Sequence, residues 1–155
     1  MAALSLAPLW SEAPRPDPRP SLPAPRSGAD RALLDHLRGL ALHAQLAAPL
    51  GLEQTCSLIE PGSGAAYGAA LMRTLSAVAT RDLTFHPRGA AVASFDELWL
   101  LRLLRCIESG DTDSARLLIA GRTDRIGRRT VTFLAHGFAE RLGEMGLDAD
   151  TLEPF

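Results

Sequence analysis

One stretch constrains this chain more than any other: SFDELWLLRLLRCIESG, residues Ser94 to Gly110. Ser94 precedes the apolar run and Glu97 stands three residues later. That is the spacing of a capping box, in which the serine oxygen accepts a backbone N–H and the glutamate carboxylate accepts the N–H of the cap residue. Gly110 can take the left-handed conformation that ends a helix. Phe95, Trp99, Leu100, Leu103, Leu104, Cys106 and Ile107 share one half of a helical wheel. Arg102, Arg105, Glu108 and Ser109 share the other, with Leu98 and Leu101 among them. A buried helix is expected, with Leu98 and Leu101 in need of cover. Phe95, Trp99, Leu100, Leu103, Leu104 and Ile107 each stabilise by roughly 1.5–3 kcal/mol when fully buried. Net domain stability is about 5–15 kcal/mol, so this segment reads as the hub on which other elements pack.

Helical patterns flank it. Ser27 caps an expected helix over Ala29 to Ala48, with Leu33, Leu37, Leu40, Ala41 and Ala44 on one stripe and Pro49 and Gly51 as its stop. Ser63 caps a second, from Gly64 to about Thr80, whose face is Leu71, Leu75, Val78 and Ala79. Gly64, Ala65, Gly68 and Ala69 leave its first turns nearly bare, so another helix can approach closely. Asp111 or Asp113 caps a short helix ending before Gly121. Thr123 caps the last, expected to run to Leu142 on the stripe Val131, Leu134, Ala135, Phe138, Leu142 and Met145. Gly127 and Gly137 interrupt it and read as contact points. The expected fold is all-α: a single-domain helical bundle or orthogonal array of four longer helices and one short one, over residues 27–146.

The ends differ in character. Residues 1–26 hold seven of the eleven prolines and read as an extended or disordered arm, which can neither form a helix nor enter a sheet interior; a disordered tail is the ordinary explanation and an arm laid along a partner subunit the sharper one. Leu4, Leu6, Leu9 and Trp10 tip that arm with apolar groups. Residues 147–155 read as an acidic, solvated tail.

A net charge of −2 argues against a generally nucleic-acid-binding surface. All sixteen basic residues are arginine, which reads as the codon bias of a GC-rich bacterial genome. Cys56 and Cys106 are isolated and form no zinc pattern, so no metal and no cofactor is expected. No apolar run approaches the length of a membrane span and no basic leader precedes the apolar N-terminus. The expected setting is the cytoplasm.

Three constellations carry candidate function. Gly62, Ser63, Gly64 and Gly68 form a glycine pattern opening a helix, where free N–H groups and the dipole suit a phosphate, and Asp82 follows at the distance of a ribose-binding acid. The spacing is GxGxxxG and no βαβ sequence continues it, so helix packing is the ordinary explanation. Arg122 to Arg129 begins the last helix. A helix-turn-helix would put Arg125, Arg128 and Arg129 forward onto base edges; the ordinary explanation is ion pairing with Asp111, Asp113, Asp124 or the acidic tail. His136 and Glu140 share a helical face, as a polar contact and not a metal pair. The leading expectation is a non-enzymatic helical interaction or regulatory module acting as a homodimer through Trp10, Leu98, Leu101, Arg125, Arg128 and Arg129. A nucleotide- or small-molecule-binding protein using Gly62 to Gly68 comes second, and a DNA-binding regulator third.

Overall fold

The computed structural model describes residues 20–46 and 63–147. In chain order the elements are β1 (Leu22–Pro23), α1 (Gly28–Leu46), α2 (Gly64–Val78), β2 (Val92–Ala93), α3 (Phe95–Glu108), α4 (Thr112–Arg122) and α5 (Arg128–Ala139). The fold is all-α apart from a two-stranded ribbon that sequence reasoning missed. In it β1 pairs antiparallel with β2, Leu22 opposite Ala93 and Pro23 opposite Val92. A proline is tolerated there because a ribbon this small is all edge.

The capping box of α3 forms as the spacing requires. Glu97 N donates to Ser94 Oγ at 3.1 Å and Ser94 N donates to Glu97 Oε2 at 2.9 Å. Gly110 ends the segment at φ +78°. Leu100, Leu103 and Leu104 are fully buried, and the Trp99 indole N–H donates to the Leu118 carbonyl at 3.0 Å. Two expectations fail at the edges. Leu101 is buried within the chain, because α3 packs against α1, α4 and α5 and its covered arc exceeds half the wheel. Phe95 is 44% exposed: it is the first residue of α3, and side chains there lean back past the helix end.

The α3 helix shares its central role with another pair. The most extensive helix contact is between α2 and α5, where Leu71, Leu75, Val131, Leu134 and Phe138 meet in the core. Bare glycine faces permit it. A Cβ on Gly68 would lie 2.8 Å from Leu40 Cδ1 and 2.9 Å from Phe138 Cε2, and one on Gly137 would overlap the Tyr67 ring.

The last helix begins later than expected. Thr123 is the C-cap of α4, extended at φ −122° and ψ 150°, and bridges to Ala79. Thr80 N donates to Arg122 O and Asp124 N to Val78 O, both at 2.9 Å. The backbone at 122–124 is spent on the end of α2 and cannot start a helix. The chain then passes Val78 so closely that only Gly127 fits. Beyond α5, turns end at Gly146, with φ +66°. Leu147, assigned to the acidic tail, is buried, and its carbonyl accepts from Arg105 Nη1 at 3.2 Å.

Candidate interaction face

The polar interior is a set of clamps. Arg38 on α1 and Glu97 on α3 are both buried. Glu97 accepts from Arg38 Nε at 2.8 Å, Arg38 Nη2 at 3.2 Å, His86 N at 2.7 Å and Ser94 N at 2.9 Å. Arg38 also donates to the Ala90 and Val92 carbonyls, so one guanidinium ties α1 to the 84–93 connection and to α3. The hydrogen bond to Glu97 pushes the Arg38 pKa up, outweighing burial, which acts the other way. Buried Asp96 accepts from Arg81, Arg122 and the Thr84 N–H. Arg38 separates two open cavities of about 510 Å³ each, one beside Arg26, Arg31 and Asp35, the other beside Leu42, Gln45, His86 and Arg88. Neither pairs a nucleophile with a base among the described residues.

The glycine pattern serves packing. Ser63 caps α2, its Oγ accepting from Ala66 N at 3.2 Å. Gly64 lies against Met145 and Arg141, and Gly68 against Leu40 and Phe138. Asp82 is exposed. Gly62, Trp10 and Cys56 fall outside the described residues. Cys106 is a half-buried free thiol.

The arginine stretch divides. Arg122 turns inward to Asp96, with its guanidinium carbon 5.7 Å from the Trp99 ring centroid. The expected pairings with Asp111, Asp113 and Asp124 do not form among the described residues; Asp111 and Asp124 cap the backbone, accepting the N–H groups of Ser114 and Gly127. Arg128 Nη2 donates to the Ala120 carbonyl at 3.2 Å. Arg125 and Arg129 are exposed and make no ion pair among the described residues. Leu98 is half-buried. Glu140 pairs with Arg141 at 3.8 Å. Among the described residues no group of three His, Cys, Asp or Glu side chains could hold a metal, and no helix is long and apolar enough to cross a membrane.

What sequence reasoning missed lies on the outside of α5. Val131, Leu134, Ala135 and Phe138 are fully buried on its inner side. Arg129, Phe133, His136 and Glu140 follow at four-, three- and four-residue intervals on its outer side, which places them on one face. Phe133 is 57% exposed, and Ile126, just ahead of the helix, is 85% exposed. From α2 the Tyr67 ring tilts against Phe133, centroids 5.9 Å apart, and the Arg141 guanidinium sits 4.4 Å over the same ring. Aromatic and arginine side chains of this kind dominate the energetics of protein contacts. No family model, curated protein or solved structure matches this chain.

Proposed function

We propose that the chain is a non-enzymatic helical interaction module acting as a homo-oligomer, and that the outer face of α5 with Tyr67 is its docking surface. The observation that carries this is the exposure of Phe133 within a line of Ile126, Arg129, Tyr67 and Arg141. A single exposed apolar residue is ordinary. Here two aromatic rings and the Arg141 guanidinium are held together by the fold, which lowers the ordering cost of contact. Leu101 does not contribute, since the chain covers it. The inward packing of Gly64 and Gly68 weighs against a nucleotide at the start of α2. Ile126, Phe133 and Glu140 among the exposed arginines weigh against DNA, whose backbone calls for an uninterrupted basic surface.

Sedimentation of the full chain up to about 200 µM tests it, a range that reaches weak association. The mass is expected to rise toward a multiple of the monomer, and Phe133→Asp is expected to remain monomeric with an unchanged melting temperature. A wild-type chain that stays monomeric throughout overturns the proposal.

A further inference from the structure

Resting on that reading of α5, we infer that the partner is a second copy of this chain, docked α5 against α5 in antiparallel fashion, with Arg129 of each copy facing Glu140 of the other. Three outer residues of α5 and its C-cap Glu140, whose backbone is still helical at φ −61° and ψ −21°, have a symmetric spacing, four, three, four. In a two-fold interface the residue that contacts j on the partner is itself contacted by j. Reversing the stripe about its midpoint, between Leu134 and Ala135, puts Arg129 opposite Glu140 and Phe133 opposite His136. A parallel pair would set arginine against arginine and glutamate against glutamate. The charge pattern therefore selects one orientation. The intervals are also those of a heptad seam, which suits helices crossing at a shallow angle.

Both charges are available for the role. Arg129 makes no ion pair among the described residues, and the Glu140 side chain is 70% exposed with Arg141 at 3.8 Å as its only ion-pair partner among them. At the centre Phe133 meets an imidazole, and Tyr67 widens the apolar strip on the α2 side. The α5 helix is short, about 18 Å at 1.5 Å per residue, so the contact expected of it is smaller than the roughly 800 Å² per partner of a standard interface. Weak association is expected of so small a contact, and the concentration range of the sedimentation test reaches it.

Charge exchange tests the register. Arg129→Glu creates two facing glutamate pairs in the antiparallel dimer, and Glu140→Arg creates two facing arginine pairs. Each is expected to raise the dimer Kd at least about tenfold, and the double variant Arg129→Glu/Glu140→Arg to return it to within about threefold of wild type. Neither change weakens α5 itself. A glutamate near its N-terminus and an arginine near its C-terminus both complement the helix dipole, and circular-dichroism melts confirm the folded state. If the wild type dimerises, Phe133→Asp abolishes it and the single exchanges have no effect, the register is wrong while the docking surface stands; a parallel pair gives that result, since it exchanges one like-charge contact for another. Single exchanges that weaken association without rescue by the double variant overturn the Arg129–Glu140 pairing. A wild-type chain monomeric at about 200 µM overturns both.

Discussion

Replacing Glu97 with leucine should cost roughly 3–5 kcal/mol, the range for breaking a buried ion pair from one side. The structure shows where that cost arises. The variant takes from the Arg38 guanidinium, with a side chain 2% exposed, its two contacts with the buried carboxylate at 2.8 and 3.2 Å, leaving as its ion-pair partner among the described residues only Asp35 at 3.2 Å, whose side chain is 46% exposed and more weakly coupled. It also strands the N–H groups of His86 and Ser94, which have Glu97 as their acceptor. A buried donor left unmet costs about 1–3 kcal/mol. Half of the α3 capping box goes with it. Urea unfolding measures the loss. With a slope near 2 kcal/mol/M, the midpoint should drop by about 2 M. The pair also predicts non-additivity. Arg38→Met alone should be similarly damaging, yet Arg38→Met/Glu97→Leu together should cost well below the sum, because no uncompensated charge remains buried. A Glu97→Leu variant within about 1 kcal/mol of wild type, or single variants whose costs simply add, would refute the account of Glu97 as the acceptor that holds α1, the 84–93 connection and α3 together.

Two further perturbations have opposite signs or a clear pH signature. A Cβ at Gly121 in α4 meets nothing within 4 Å, whereas one at Gly127 would strike the Val78 side chain; Gly121→Ala should stabilise by up to about 1 kcal/mol and Gly127→Ala destabilise by about 1–3 kcal/mol, as read by thermal or urea unfolding. His36, stacked on Phe138 at 6.2 Å, is held below the usual histidine pKa by burial and then by Arg88. The unfolded chain therefore takes up that proton first. Stability is full above about pH 6.5 and declines as pH falls from there toward the folded pKa. His36→Leu should lose less melting temperature than wild type between about pH 7.5 and pH 5; equal losses would mean His36 is not the group responsible.

Much of the fold was legible because it rests on local chemistry. The capping box and the apolar arc of α3 act within one or two helical turns, and the glycines of α2 and α5 announced close approach before any partner was known. The Arg38–Glu97 clamp was not legible, since its members are 59 residues apart and Glu97 already had a local role as the capping-box acid. Arg38 stands off the apolar stripe of α1 and belongs to no local pattern that marks it. The start of α5 was misplaced for a related reason. Thr123 has the chemistry of an N-cap, but its backbone is taken by Ala79 across a distant connection. The outer stripe of α5 was visible in principle as the complement of the Val131–Phe138 stripe. Phe133 falls outside the apolar period of α5, so the period alone does not mark it.

The close packing of α2 on α5 also builds the proposed docking face, which makes Gly137 its most informative residue. The bare Cα at that position lets the Tyr67 ring lie across α5, between Phe133 and the Arg141 guanidinium. Alanine there gains about 1 kcal/mol of helix propensity, but its Cβ occupies the place of the ring. Tyr67 is half-buried, so the ring has solvent to move into and the backbone need not shift. The expected result is a melting temperature changed by the equivalent of no more than about 1 kcal/mol, together with association weakened about tenfold as the aromatic platform is dismantled. Sedimentation and thermal unfolding on the same preparation separate the two effects. A strong fall in stability would show that the ring is fixed by the core, and unchanged association would show that Tyr67 is no part of the contact.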